Sequence, residues 1–210
     1  MAILKKIFRY PIKGLSGESL NEILLEKDQV LSGDREYAFA RSQVSFDEKN
    51  PVYLRKTNFL ALVKEEKLAK LSTEFNSKSK RLIIRFDKKT VLDEILVNEI
   101  NINKVEVFFQ KYLNLGSNNK PRLVQGTKYE NDKNLKHSFS DLPEKAISII
   151  NLNTISDFEK KIGKNIDPSR FRANLLIDNI DPWKEFNWVG KKIEIGDCIL
   201  EVFKRTQRCA

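Results

Sequence analysis

The chain has 210 residues, of which 40% are hydrophobic, so it can bury a core as one larger domain or as two small domains packed together. No run approaches the 18 or more apolar residues of a membrane span, and the N-terminus lacks a secretory signal, so we expect a cytoplasmic protein. The net charge of +9 comes from cations scattered along the chain. This pattern predicts a basic surface that attracts anionic ligands, and it favours neither a specific nucleic-acid interface nor a membrane interface.

The N-terminal half alternates between short strand-like runs and turns. Helical spacing of Ala61, Leu68, Leu71 and Phe75 predicts one amphipathic helix within residues 61–75. The predicted strands are Ile3–Arg9, 11–17, 20–25, 37–41 and Arg81–Phe86, with a turn at 32–34.

The C-terminal half begins with a predicted helix over residues 103–113 and a strand at Arg122–Gln125. The polar stretch 126–143 is predicted to be a long loop. After the apolar run 146–152, Asn153 or Thr154 is expected to cap a helix that ends at Gly163. Residues 175–177 are predicted to form a buried strand, and residues 192–204 a strand or hairpin.

Two cysteines, Cys198 and Cys209, are expected to be reduced, because two residues near one end of the chain do not make a disulfide framework. Cys198 lies in an alternating apolar run and is interpreted as a small buried hydrophobe. Cys209 follows Lys204, Arg205 and Arg208, whose charges favour the thiolate. It is therefore a candidate ligand or nucleophile, and the alternative is an idle thiol at a frayed terminus.

Arg170 and Arg172 are two residues apart, so on an extended segment both side chains would share one face and could hold an anion. The alternative is that they form surface ion pairs with acids such as Asp178 or Asp181.

Several familiar catalytic arrangements are missing from the sequence. The single His137 cannot supply a multi-histidine metal site, and there is no CxxC pair, phosphate-binding glycine loop or nucleophile elbow. Zinc-hydrolase and P-loop chemistry are thereby excluded. A Ser-His-Asp grouping from Ser138, His137 and Asp141 is disfavoured, since adjacency in sequence is not triad geometry.

Two groups of motifs resemble the MOSC proteins, a family that includes the mitochondrial amidoxime-reducing component and bacterial relatives. Residues 10–17, Tyr-Pro-Ile-Lys-Gly-Leu-Ser-Gly, with Gly33-Asp34-Arg35 resemble the family's N-terminal module. Residues 170–174, Arg-Phe-Arg-Ala-Asn, with Trp188, residues 195–197 and Arg208-Cys209 resemble the MOSC domain itself. The resemblance implies a β-rich α+β fold with a few helices, in which a β-barrel-like module (1–100) packs on a MOSC β-barrel domain (101–210).

The resemblance also implies a function. The expected cofactor is molybdenum cofactor (molybdopterin), not pyridoxal phosphate, and the expected reaction is the reduction of small N-hydroxylated substrates. Electrons would come from a separate reductase, since no iron–sulfur or flavin motif is present. By analogy, Cys209 is the catalytic thiolate ligand of molybdenum. The residues expected to hold the pterin and its phosphate are Lys13, Arg35, Arg172 and Asn174, with Asn151 and Thr154 adding hydrogen bonds near a helix N-terminus.

The sequence departs from the family pattern at three places. Gly14 stands where relatives often carry Ser, and Thr206 replaces a first Cys found in some members. Relatives continue past the ligand cysteine, whereas this sequence ends at Ala210, which fits either an incomplete sequence or a short member with weakened cofactor retention. Two other functions stay open at this point, namely a carrier of molybdenum cofactor or sulfur without turnover, and a basic nucleic-acid-binding β-barrel.

Overall fold

The computed structural model describes residues 1–130 and 133–207, with side chains described outside residues 127–136. The chain forms two compact units, each assembled from separate segments of sequence. The first unit contains residues 1–8, 19–32 and 146 onward, and the second contains residues 9–18 and 33–145. These are units of spatial contact, and the expected division into two modules at residue 100 stays a prediction.

The described residues form short strands, two α-helices and short 3₁₀ turns. In chain order the strands are β1 (Ile3–Arg9), β2 (Glu18–Leu20), β3 (Tyr37–Ala40), β4 (Leu71–Asn76), β5 (Arg81–Phe86), β6 (Lys89–Ile95), β7 (Arg122–Gln125), β8 (Thr127–Glu130), β9 (Lys133–Lys136), β10 (Ile149–Asn151), β11 (Leu175–Asp178), β12 (Lys191–Ile195) and β13 (Cys198–Val202). The helices are α1 (Glu99–Tyr112) and α2 (Leu152–Ile162).

The first unit is built on a four-stranded sheet of order β10-β11-β1-β2. Strand β11 lies inside this sheet, parallel to β10 and antiparallel to β1, with Ile3 opposite Asp178. Its apolar residues are buried on both faces, as expected for an interior strand. Helix α2 follows β10 directly and ends at Gly163, whose φ of 66° is the left-handed conformation that glycine adopts at helix ends. Ile7, Leu31 and Leu175 form the core of this unit.

The second unit contains the antiparallel pair β3–β7 and the meander β4-β5-β6. Helix α1 begins at the cap Asn98, whose side chain accepts a hydrogen bond from the Asn101 amide at 2.9 Å. It places Val105 and Phe109 in the core, where the Phe109 ring packs on Phe39 with ring centroids 4.4 Å apart. Burial of these apolar side chains holds the helix and sheets of this unit together.

The β-rich α+β class is confirmed. Across residues 1–130 and 133–207 the strands form sheets of two to four members, and no closed barrel is found among them. Neither described helix combines the length and the apolar composition needed to cross a membrane.

The helix predicted within residues 61–75 is wrong. The segment contains a short 3₁₀ turn at Glu66–Lys70 and then strand β4, which pairs with β5. Leu71 and Phe75 are buried on the same face of β4. A spacing of four residues repeats on a strand as well as on a helix, so this spacing alone does not distinguish them.

Other boundaries also differ from expectation. The stretch 126–143 contains the hairpin β8–β9 and is not one long loop. Residues 11–17 form a turn with an isolated bridge from Ile12 to Tyr37. The strand predicted at 20–25 is wrong, because β2 ends at Leu20 and residues 21–25 are not in a strand. Helix α1 starts four residues before its predicted start, at Glu99, and α2 is capped by Asn151 and not by Asn153 or Thr154.

The expectations for β1, β5, β7 and the C-terminal hairpin are confirmed. Strands β12 and β13 pair from Lys191 opposite Val202 to Ile195 opposite Cys198. Cys198 is half-buried at the start of β13, so it is less enclosed than the buried position expected for it.

Candidate functional site

A tight turn in the second unit positions Lys13. The Lys13 amide donates to the Tyr37 carbonyl at 2.8 Å, and Gly14 then turns the chain with a φ of 81°. A Cβ at Gly14 would lie 3.2 Å from the Leu60 carbonyl oxygen. Glycine therefore suits this turn for a local reason, and a serine in its place would be strained.

The ammonium group of Lys13 is buried among oxygen acceptors. The residue is only 5% exposed, and Nζ donates to the Phe139 carbonyl at 2.8 Å and to the Asp141 carboxylate. A buried ammonium is stable only when it has such partners. Lys13 is thus held as a fixed positive charge.

Arg35 lies on the neighbouring turn in a left-handed conformation, with a φ of 52°. Its amide donates to the Tyr10 carbonyl at 2.6 Å, and its guanidinium carbon lies 5.0 Å from the centroid of the Tyr10 ring. The same guanidinium pairs with the buried carboxylate of Asp34, which also accepts from the Tyr10 amide at 2.8 Å. These contacts fix the direction of the Arg35 side chain.

Asp141 is the anion that these cations surround. Partial desolvation alone would raise the pKa of its carboxyl group, but the attraction of Lys13, with smaller contributions from Lys56 and Arg35, outweighs desolvation and lowers that pKa. We call Lys13, Arg35 and Lys56 with Asp34 and Asp141 the cation cluster. Its three positive and two negative side chains carry a net positive charge.

The segment around Asp141 is fixed by backbone contacts within the same unit. The Phe139 amide donates to the Arg35 carbonyl at 2.8 Å, and the Ser138 hydroxyl donates to the Asp34 carbonyl at 2.9 Å. Since Ser138 bonds to a backbone oxygen and Asp141 pairs with Lys13, no Ser-His-Asp triad forms here. Burial, and secondarily the charge of Lys145, lowers the pKa of His137.

In the first unit, the side chains of Asn151 and Thr154 both donate hydrogen bonds to the Glu185 carboxylate. The fully buried Asn151 amide donates to the Asp181 carbonyl at 2.9 Å and to Glu185 Oε2 at 3.1 Å, while its oxygen accepts from the Asn153 amide at 3.0 Å. The Thr154 hydroxyl donates to Glu185 Oε1 at 2.7 Å and accepts from the Trp183 amide at 2.8 Å. Both side chains thereby anchor the segment that follows β11.

Asn174 links three parts of the first unit. Its side-chain oxygen accepts from the Ser148 amide at 3.1 Å and hydroxyl at 2.9 Å, and its amide group donates to the Phe8 carbonyl at 3.2 Å.

Arg172 ends the 3₁₀ turn Pro168–Phe171 with a φ of 50°. The segment from Arg170 to Arg172 therefore begins in a 3₁₀ turn and is not extended. The prediction that Arg170 and Arg172 share one face of an extended segment is wrong.

The six predicted cofactor-binding residues divide between the units. Lys13 and Arg35 belong to the cation cluster, whereas Asn151, Thr154, Arg172 and Asn174 belong to the first unit. Their roles as cofactor ligands stay predictions. Cys209, the predicted metal ligand, and the adjacent Arg208 lie outside the described residues. Among the residues that are described, no group of three or more His, Cys, Asp or Glu side chains could hold a metal ion.

Sequence reasoning missed the partners of these residues. Lys56, Glu185 and the pairing role of Asp141 carry no motif of their own, and Asp141 is 128 residues from Lys13 in the sequence. The only available signal was that a lysine inside an apolar segment needs an anionic partner.

Residues 134–210 match the family model of the MOSC domain. This family is associated with binding of molybdenum cofactor and with sulfurase-like proteins. No curated protein matches the chain.

Proposed function

We propose that this chain, whose residues 134–210 match the family model of the MOSC domain, binds molybdenum cofactor and reduces small N-hydroxylated compounds. The observation that carries the proposal is the cation cluster, in which the Asp141 carboxylate pairs with Lys13 and the charges of Lys56 and Arg35 further lower its pKa. A site that already accommodates one anionic group between fixed cations is suited to a phosphorylated ligand.

The residues present fit the anionic part of this cofactor. Lys13 supplies a buried point charge, and Arg35 supplies a planar guanidinium whose direction is fixed by Asp34 and Tyr10. These two side chains would hold phosphate or pterin oxygen atoms. In the first unit, Arg172 and Asn174 are proposed cofactor ligands, and Asn151 and Thr154 anchor the segment that carries Glu185.

In this proposal, the ion pair between Asp141 and Lys13 breaks when the cofactor binds. Its carboxylate uses the same Lys13 ammonium that an incoming phosphate would use, so binding exchanges one anionic partner for another. This exchange keeps Lys13 paired in both states and avoids leaving a buried charge without compensation.

The proposed reaction is a two-electron reduction. An amidoxime accepts two electrons and two protons, its N–O bond breaks, and an amidine and one water are formed. When bound, the cofactor supplies a metal that changes oxidation state during this exchange. The electrons come from a separate reductase, and Cys209 provides the thiolate ligand.

The proposal is tested by cofactor content and by turnover. Protein from cofactor-replete expression should contain molybdenum, measured by mass spectrometry, and pterin, measured by fluorescence after oxidation. Lys13→Gln should lower both contents, because it removes a positive charge from the cluster. Lys104→Gln removes an exposed lysine from the same unit and should change neither content.

Turnover separates an enzyme from a carrier. Oxidation of a reduced viologen by benzamidoxime should require the wild-type protein, and Cys209→Ala should abolish it. Retained pterin without turnover in the wild type would favour a carrier of cofactor or sulfur. Absence of both molybdenum and pterin from the wild type would refute the proposal, and steeply salt-dependent nucleic-acid binding by that protein would favour the third function.

A further inference from the structure

The segment after β11 carries a bulky aromatic residue in an unusual backbone conformation. Trp183 has a φ of 66° and a ψ of 0°, which lies in the left-handed region. For a large side chain this conformation is strained, and such strain persists only when the surrounding contacts hold it in place.

Hydrogen bonds from α2 and its cap hold this conformation. The Trp183 amide donates to Thr154, the indole Nε1 donates to Asp157 Oδ2 at 2.6 Å, and the Asn151 amide donates to the Asp181 carbonyl. The Asn153 amide also donates to the Ile180 carbonyl at 2.9 Å. Glu185 accepts hydrogen bonds from Asn151 and Thr154, so the segment is fixed on both sides of Trp183. The direction of the indole is set by its own hydrogen bond.

The fixed indole borders an open depression of about 530 Å³. The depression is lined by Asp181, Pro182, Trp183, Lys184, Phe186, Asn187 and Arg205. This volume falls in the range of small-molecule sites, which is roughly 300–1,000 Å³. Two aromatic rings therefore face a space large enough for a small ligand.

The aromatic rings and a cation are arranged together. The Trp183 and Phe186 rings form an edge-to-face pair with centroids 5.6 Å apart. The Arg205 guanidinium carbon lies 4.6 Å from the centroid of Phe186, and one of its nitrogens donates to the Phe186 carbonyl at 3.2 Å. A guanidinium has five N–H groups, so an arginine held in this way can also donate to a carboxylate beside the ring.

The charges that line the depression favour an anion. Lys184 and Arg205 contribute two positive charges against the single carboxylate of Asp181, which is 82% exposed and 3.5 Å from Lys184. A negative ligand with a flat ring matches both the aromatic surface and the excess positive charge.

We propose that Trp183, Phe186 and Arg205 form a binding site for small planar aromatic anions, of which aryl carboxylates are the simplest. In this site the ring of the ligand packs on the aromatic pair, and its carboxylate accepts hydrogen bonds from Arg205. The proposal is independent of the proposed molybdenum chemistry, because every residue in it comes from residues 181–205 and the α2 contacts that hold them.

Three probe compounds separate the contributions of ring and charge. Benzoate has both, benzamide keeps the ring without the charge, and cyclohexanecarboxylate keeps the charge without the aromatic ring. Ligand-observed NMR on the whole chain should detect benzoate, with binding about tenfold weaker for benzamide and about threefold or more weaker for cyclohexanecarboxylate.

Variants test the assignment to these residues. Arg205→Gln should weaken benzoate binding about tenfold and bring it to the level of benzamide. Lys192→Gln removes an exposed cation from β12, outside the depression, and should leave binding unchanged. Trp183→Gly removes the ring at a position whose φ suits glycine, so binding should be lost while cooperative thermal unfolding is retained.

Any one of several results would overturn the proposal. These are no detectable benzoate binding by the wild type, equal binding of benzoate and benzamide, or unchanged benzoate binding in Arg205→Gln. Equal loss in Lys192→Gln and Arg205→Gln would also overturn it, since that would reflect general surface charge.

Discussion

Asp141→Asn is expected to weaken the fold and to strengthen phosphate binding in the same molecule. The substitution keeps the shape of the side chain and removes its charge, so Lys13 loses its anionic partner. Removing the carboxylate lowers the stability of the ligand-free protein. If a ligand phosphate must replace that carboxylate on Lys13, its absence also removes the competitor of the phosphate, so phosphate binds more tightly. The two effects have opposite signs, which a general disturbance of the fold would not produce.

The size of the effect follows from the exposure of the two partners. Lys13 is 5% exposed, whereas the side chain of Asp141 is 53% exposed. Exposed pairs contribute about 0.2–1 kcal/mol, and removal of one partner from a buried pair costs about 3–5 kcal/mol. After allowance for solvent screening on the Asp141 side, we expect a loss of about 1–2 kcal/mol in the free energy of unfolding. When phosphate pairs with Lys13 in the variant, it restores this lost stabilisation. The same free energy then corresponds to an increase of about 5- to 30-fold in phosphate affinity.

Urea denaturation measures both quantities. Unfolding is followed at neutral pH without phosphate and then at rising phosphate concentrations, and the added stability gives the dissociation constant of the folded state. Asp93→Asn serves as the matched control, because Asp93 pairs with Arg81 on exposed strands of the same unit and does not belong to the cation cluster. Phosphate affinity that is equal in the wild type and Asp141→Asn would refute the reasoning, and so would unchanged stability in the absence of phosphate.

Two further predictions concern single side chains. Since the folded-state pKa of His137 is lowered, the unfolded chain binds a proton that the folded chain does not, and stability falls as pH drops below the unfolded value of about 6.5. His137→Asn should remove this contribution, and a stability difference between wild type and variant that stays constant from about pH 7.5 to 5 would contradict it. Thr154→Val should lower the free energy of unfolding by about 1–3 kcal/mol, because the Trp183 amide and Glu185 each lose a hydrogen-bond partner. Thr154→Ser keeps the hydroxyl and should recover most of that stability in the same urea measurement, and an equal loss in both variants would indicate a packing effect.

Local sequence patterns were sufficient to predict those strands and helix ends whose signal lies in neighbouring residues. The sequence boundaries of β1, β5 and β7 agree with the structure, and the helix stop at Gly163 follows from a left-handed φ that glycine tolerates. The spacing at Leu71 and Phe75 fits both a helix and a strand, and pairing of β4 with β5 decides between them. Strands β8 and β9 pair through their backbones. They lie in a polar stretch with little alternation of apolar residues, so the sequence pattern did not predict them.

The candidate site was only partly accessible from the sequence. Lys13 and Arg35 stand on motifs that resemble a family pattern, so they could be selected in advance. Their contact with Asp141 depends on a pairing over 128 residues, which no local pattern encodes. Asn151 and Thr154 were selected as direct ligands, yet their polar groups bind Glu185, Asp181 and nearby backbone atoms. These positions follow from the family resemblance, and their contacts follow from the structure.

The position of β1 in its sheet has a consequence for synthesis on the ribosome. Ile3 pairs with Asp178, so the partner strand β11 is synthesised only after the whole of the second unit. The second unit, whose segments all precede residue 146, can therefore fold first, while the nascent β1 waits with an unpaired edge. Until β11 is available, that edge is open to pairing with other strands, so closure of the β10-β11-β1 sheet comes late in biogenesis.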